Sequence, residues 1–457
     1  MHSHDILIIG GGPGGYVAAI KAAQQGKNVG LIEYQAIGGV CLNWGCIPTK
    51  ALLKSAKVLT QFQNAKSYGI DVAKDAFSVN FGAMMKRKDT VVKKLTGGVQ
   101  YLLKNNGVTV YPGFGQVIDA NTVKVNDDTV HTEKLIIATG ASPIIPPIQG
   151  IEDALKTGRA VTSKEILSLT EQPKSLSIIG GGVIGIEFAT IFNALGTDVT
   201  IIEREADILM GVDDTIKEAF KKVLKKNKIK VITQATASAL KAGKIQYQTA
   251  DNTTEINTDL TLISVGMKPN LKGLEALNLA CDNTGIITDE YLRTNVDGVY
   301  AIGDVNGKYM LAHVASKEGL VAVDHLLGNH HAMDYTKVPS GIYTFPEIAQ
   351  VGLTEQQAID QNIDYTVSTF PVSANGKALA EGESIGMVKM IAAKPYHEII
   401  GVHILSVNAT ELISENVLGM TLEATADDYI EAIHPHPTLS EMLHETAHGI
   451  KDKPIHL

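Results

Sequence analysis

The chain carries one strand–glycine–helix pattern twice, and few folds accept such a repeat. Ile8-Ile9-Gly10-Gly11-Gly12-Pro13-Gly14-Gly15 recurs as Ile178-Ile179-Gly180-Gly181-Gly182-Val183-Ile184-Gly185. Each copy is an apolar strand running into G-x-G-x-x-G and then a helix. A second apolar strand follows and ends in an acid, at Leu31-Ile32-Glu33 and at Ile201-Ile202-Glu203. Glu33 lies 23 residues after Gly10, and Glu203 lies 23 after Gly180. A lone glycine loop is weak evidence, but strand, helix and acid in register make the dinucleotide-binding fingerprint. Gly10 and Gly180 make the tight turn. Gly12 and Gly182 let the backbone approach a pyrophosphate, and Gly15 and Gly185 let helix and strand pack closely. The helix N-terminus then faces the phosphates, and Glu33 or Glu203 can accept from a ribose hydroxyl.

The rest of the chain fits an α/β protein with two Rossmann-like dinucleotide-binding domains and a C-terminal α+β domain. Val108 to Ala138 alternates apolar and polar residues around glycine and Asn/Asp turns, as a small antiparallel meander does. It closes on the buried strand Leu135 to Gly140. Leu260 to Gly266 is the matching strand of the second unit, and Gly298 to Asp304 reads as a strand ending in an acid. The expected division is residues 1–147, 148–272, a central segment 273–345 that completes the first unit, and 346–457. The last of these reads as a mixed α+β domain.

Composition excludes several classes. A length of 457 residues predicts roughly three domains. Hydrophobic content of 44% and charged content of 19% describe an ordinary globular chain. A net charge of −9 argues against nucleic acid as a partner. The basic runs Lys86-Arg87-Lys88 and Lys221 to Lys228 read as solvated helix faces. No apolar stretch predicts a membrane span. The chain reaches an apolar strand by Ile6, with His2 and His4 as tail, which leaves no room for a leader. Three cysteines do not make a disulfide scaffold, so a reducing cytoplasm fits. Cys281 reads as a packed small residue.

Cys41 and Cys46 lie just behind the first fingerprint. Five residues of regular helix advance about 7.5 Å, whereas a disulfide needs Cα atoms within about 7 Å. Either the two are unpaired or the segment is distorted. Gly45 and Pro48 supply a permissive backbone and a helix start. A thiolate at a helix N-terminus has a lowered pKa. Two dinucleotide sites and a dithiol imply an electron relay. A flavin handles both hydride and thiolate chemistry, so FAD is expected beside the cysteines and the nicotinamide in the second unit.

These residues, together with Leu311-Ala312-His313 and His436-Pro437-Thr438-Leu439-Ser440-Glu441, resemble the pyridine nucleotide–disulfide oxidoreductases over essentially the whole chain. The resemblance implies that Cys46 contacts the flavin and Cys41 attacks the substrate disulfide. It makes His436 the base and Glu441 its orienting carboxylate. Lys50 is implied near the flavin, paired with Glu187 on the second unit's helix. Asp304, Gly115 and Ala312 would line the FAD site, and Gly266 would join Glu187 and Glu203 in the NAD unit. It further implies a homodimer in which His436 reaches the other subunit's cysteines. The pattern is similar to the branch that oxidises dihydrolipoamide with NAD+, whose partner is the lipoyl domain of an acyltransferase in a 2-oxo acid dehydrogenase complex, or the H-protein of glycine cleavage. The alternative is a glutathione-reductase-like enzyme, for which Arg204 is the one supporting residue. Glu203 favours the free 2′-hydroxyl of NAD. His434 and His436 lack a third ligand nearby in sequence, so no metal is expected.

Overall fold

The computed structural model describes residues 2–73 and 77–457. The first unit begins with β1 (His2–Ile9), α1 (Pro13–Gln24) and β2 (Val29–Glu33). It continues through α2 (Gly39–Trp44), α3 (Cys46–Gln63), α4 (Phe81–Asn105), β3 (Thr109–Pro112), β4 (Gly115–Asp119), β5 (Thr122–Val125) and β6 (Asp128–Ile137). Its sheet runs β3-β2-β1-β6-β5-β4. The expected meander is β4 to β6. Thr109–Pro112 instead extends the parallel layer beside β2, because its register pairs Leu31 with Val110. β7 (Ala141–Pro143) and α5 (Ile151–Lys156) lead out of this unit.

The second unit holds β8 (Ala160–Val161), β9 (Ser175–Ile179), α6 (Val183–Ala194), β10 (Asp198–Ile202), α7 (Asp214–Lys226) and β11 (Lys230–Ile232). A meander of β12 (Thr236–Lys241), β13 (Lys244–Gln248) and β14 (Thr253–Asn257) follows, then β15 (Leu260–Ile263) and β16 (Met267–Pro269). The parallel order is β11-β10-β9-β15-β8. The chain then returns to the first sheet. β17 (Val299–Ala301) pairs with β6, and α8 (Ala312–Leu326) packs on α1. The expected strand to Asp304 is shorter, and Asp304 sits in the 3-10 turn Gly303–Asn306 that follows it.

The last region is an antiparallel sheet ordered β18 (Ser340–Ile342), β19 (Glu347–Gly352), β22 (Glu398–Ser406), β21 (Met387–Ala393) and β20 (Tyr365–Pro371). Its helices are α9 (Glu355–Asp360), α10 (Gly376–Glu381), α11 (Ala409–Thr421), α12 (Ala426–Glu431) and α13 (Glu441–Lys451). Among the described residues no helix is long and apolar enough to cross a membrane.

Close approach explains why the fingerprint must be glycine. A Cβ on Gly15 would lie 1.8 Å from the Gly10 carbonyl oxygen, and one on Gly185 2.3 Å from that of Gly180. Gly10 and Gly180 both adopt φ above +100°, a region L side chains avoid. The core that joins the two units is apolar: Leu52 and Leu53 of α3 share a cluster with Phe188, Ile191 and Phe192 of α6. Each such buried side chain contributes about 1.5–3 kcal/mol, which fixes α3 against α6.

Three expectations fail. Lys88 is buried, not solvated, and its ammonium donates to the Leu167 carbonyl and to Asp89. His4 belongs to β1 and is buried, bridging Asn28 Oδ1 at 2.9 Å and the Tyr111 hydroxyl at 2.7 Å. Cys281 is exposed, on a short bridge to Ile286 that leaves its side chain outside the core.

Candidate active site

The two acids close their glycine loops in the same way. Glu33 accepts from the Gly11 amide at 2.7 Å and from those of Gln35 and Ala36. Glu203 accepts from Gly181 at 2.6 Å and Glu205 at 2.8 Å. A carboxylate offers about four acceptor positions, so each keeps capacity for a ribose hydroxyl. Asp304 is half-buried and, among the described residues, its side-chain carboxylate accepts no hydrogen bond from another residue. Burial pushes its pKa up to about 6. Its turn is held by Glu318, wholly buried on α8, which accepts from the Gly303 amide, Asn306 and Tyr335. An unpartnered carboxylate at the end of a glycine-lined strand layer fits a polyhydroxylated dinucleotide. Gly115 is buried over Ile9 and Ile32, Ala312 opens α8 beside α1, and Gly266 turns at φ +128 between β15 and β16.

The cysteines stand directly on the first loop. The Gly38 amide donates to the Gly11 carbonyl at 2.8 Å, and a Cβ on Gly39 would meet the Gly12 Cα at 2.7 Å. One helix cannot carry both thiols on one face, and the chain solves this by breaking. α2 ends at Trp44, Gly45 takes φ −136 and ψ −111, and α3 restarts at Cys46. Any Cβ at Gly45 would press on the Val40 carbonyl oxygen at 3.1 Å. Both cysteines are free thiols within hydrogen-bonding reach of each other. The bond from Cys41 draws the Cys46 pKa down to about 7 against the opposing effect of burial, with help from Lys50. Cys41 is pushed up by the same bond and by burial.

Lys50 Nζ lies 2.9 Å from both carboxylate oxygens of Glu187, across 137 residues of sequence. The Glu187 side chain is only 6% exposed and also accepts from the Tyr343 amide at 3.0 Å. The Tyr343 ring lies 4.3 Å from Lys50 Nζ. Glu187 thus faces the cysteine helix rather than its own glycine loop.

His436 and Glu441 form a dyad. Nδ1 is 2.8 Å from Oε1, and the other carboxylate oxygen accepts from the Thr438 amide. Glu441 opens α13, whose N-terminus favours a negative charge. Burial alone would raise its pKa, but the Thr438 amide and His436 hold it below the ordinary range. His436 is 79% exposed and bonds to neither cysteine within the chain. Two residues earlier, His434 is anchored to Glu415 of α11 at 2.8 Å.

Sequence reasoning missed Tyr343, Glu318, and Lys164, whose ammonium sits 4.1 Å over the Trp44 ring. Glu318 offered one signal, an acid amid the apolar residues of α8. The other two offered none, since their partners come from distant segments.

Comparison with known proteins places this architecture. A model described as pyridine nucleotide-disulphide oxidoreductase matches residues 4–319, and the dimerisation domain of the same family matches residues 338–447. Dihydrolipoyl dehydrogenase of Acholeplasma laidlawii is 51% identical over 333 residues, 73% of this chain and 99% of that protein. The Chlamydia trachomatis protein of that name is 40% identical over 460 residues, 99% of this chain and 98% of its own. The structure of the HOCl-induced flavoprotein disulfide reductase RclA from Escherichia coli superposes with a TM-score of 0.87 at 28% identity, covering 97% of this chain and 99% of that one. Doubled fingerprint, paired thiols and matching models lead to one conclusion: the chain belongs to the pyridine nucleotide-disulphide oxidoreductase family.

Proposed function

We propose that the protein is a dihydrolipoyl dehydrogenase, oxidising protein-bound dihydrolipoamide to lipoamide with NAD+ as acceptor. The observation that carries this reading is the asymmetric thiol pair. Cys46, beside Lys50, has a pKa near 7, and Cys41 is held protonated. In the disulfide form, a substrate thiolate attacks the Cys41 sulfur and Cys46 leaves, because the lower-pKa thiolate is the better leaving group. His436 takes the substrate proton, oriented by Glu441. The second substrate thiol then attacks the first substrate sulfur, Cys41 leaves and takes up that thiol's proton, and the first proton stays on His436 beside the Cys46 thiolate. Two substrate S–H bonds have become one S–S bond, and both electrons rest on the cysteines. FAD, when bound, carries those electrons from the dithiol to NAD+.

In this reading residues 1–147 and 273–345 hold FAD through Gly10, Gly12, Gly15, Glu33, Lys50, Gly115, Asp304 and Ala312. Residues 148–272 hold NAD through Gly180, Gly182, Gly185, Glu203 and Gly266, with Glu187 joining the unit to Lys50. Residues 346–457 form the interface of a homodimer. Exposure of His436 supports that last assignment, since a base aimed at solvent needs a second copy to meet the thiols. The partner is a lipoyl domain, of an acyltransferase or of the H-protein. NAD rather than NADP is supported by Glu203 and by Arg204, which is tied to Glu205 at 2.8 Å. The test is NADH or NADPH oxidation with lipoamide or oxidised glutathione. Turnover restricted to NADH with lipoamide is expected; preference for NADPH with glutathione would replace this reading.

A further inference from the structure

The loop from Glu203 to Asp213 leaves the second fingerprint and ends against the C-terminal sheet. Its middle touches the glycine loop: the Leu209 amide donates to the Gly181 carbonyl at 3.0 Å, and a Cβ on Gly181 would lie 2.6 Å from Ile208 Cγ2. The Val212 amide returns to the Leu209 carbonyl at 2.9 Å. Leu209 itself holds φ +50, so this path needs external support. Asp207 is gripped by Lys221 and Lys217 of α7.

The support comes from a row of polar side chains across the sheet of the last region. Gln350 on β19, His403 on β22 and Lys389 on β21 are register neighbours. Gln350 Nε2 donates to the Gly211 carbonyl at 2.7 Å. Lys389, 2% exposed, places its ammonium 2.9 Å from both oxygens of Asp213, 2.9 Å from Thr215 Oγ1 and 2.7 Å from Glu355. His403, fully buried, donates from Nε2 to the Leu353 carbonyl at 2.9 Å. Asp213 also caps α7 through the Thr215 amide and accepts from the Glu355 amide. A continuous bonded path therefore runs from Lys389 through Asp213, Val212 and Leu209 to Gly181, whose amide is the one that Glu203 holds.

We infer that Lys389 is a positioning residue for the second dinucleotide site, acting through Asp213 on the loop that backs Gly181 and Glu203. Without the ammonium, the Asp213 carboxylate is buried and keeps only backbone donors, which costs enough to draw it toward water. Residues 211–213 then shift, and the loop loses its hold on the Gly181 carbonyl. The inference rests on the reading that residues 180–203 hold the nicotinamide nucleotide. It adds that the C-terminal domain sets the geometry of that site as well as presenting His436.

The experiment is calorimetric titration of the full-length flavoprotein with NAD+, alongside KM for NADH and for lipoamide. Lys389→Met is expected to raise the NAD+ Kd about tenfold, about 1.4 kcal/mol, with the NADH KM rising in parallel and the lipoamide KM unmoved. Lys389→Arg keeps the charge on Asp213 and should recover most of the affinity. Gln350→Ala, which removes the hydrogen bond to the Gly211 carbonyl along with a longer one to His403, should raise Kd about threefold. An unchanged Kd in a folded, flavin-loaded Lys389→Met protein overturns the inference. Should that variant not fold, an unchanged Kd in Gln350→Ala overturns it instead. A wild-type protein that binds no NAD+ at all refutes the underlying reading of the second fingerprint, a result distinct from either.

Discussion

Replacing Lys50 by Met should separate the two cysteines' chemistry from their packing. The side chains are close in volume, so the change removes a charge more than a shape. Two consequences follow. Glu187, 6% exposed, keeps only the Tyr343 amide as donor. Breaking a buried pair costs about 3–5 kcal/mol; Lys50 is 30% exposed, so water relieves part of this and about 2 kcal/mol is expected. The second consequence is electrostatic. Cys46 stands near 7 chiefly through the Cys41 bond, against burial, with Lys50 lowering it and Glu187 raising it. Near pH 7 about half of it is thiolate. Loss of the cation should raise the pKa by at least about one unit, leaving roughly a tenth as thiolate. Glu187→Gln removes the opposing charge and should move the pKa the other way. The assay is iodoacetamide alkylation of the reduced protein from pH 5 to 10, with the Cys46 peptide followed by mass spectrometry. Opposite displacements of the Cys46 midpoint in the two variants are expected. Coincident midpoints in both variants and wild type would refute the reasoning, because they would leave Lys50 no electrostatic role.

Two further outcomes are expected. A Cβ on Gly182 would meet nothing within 4 Å, at an ordinary φ of −77; Gly182→Ala should keep folding stability within about 0.5 kcal/mol yet weaken NAD+ binding about tenfold or more by obstructing the pyrophosphate. Normal NAD+ affinity in that variant would remove the close-approach role. Asp304 rises from 3.8 to about 6 on folding, so its charge destabilises the flavin-free protein above pH 6 and the cost vanishes below about pH 4. Asp304→Asn should therefore stabilise flavin-free protein by about 2–3 kcal/mol at pH 8 and by little at pH 4, while weakening flavin retention. An equal gain at both values in urea melts would show that the carboxylate's charge is not the cause.

The sequence alone determined the repeated fingerprint, the acids at matched offsets and the choice between unpaired thiols and a distorted segment at Cys41 and Cys46. These are short-range demands: a carbonyl 1.8 Å from a would-be Cβ permits only glycine whatever the rest of the chain does. Helical geometry likewise forbids two thiols five residues apart from sharing a face. The resemblance carried the pairing of Lys50 with Glu187, which no spacing encodes. Only the tertiary structure decided the surroundings of the charged side chains. Lys88 looked solvated and is buried, His4 looked like tail and is core, and Lys389 gave no signal yet ties two domains together. Cys281 went the other way, from expected packing to exposure. A long charged side chain takes its environment from whichever distant segment folds against it. Burial of the neighbouring apolar surface sets that meeting, and local sequence does not record it.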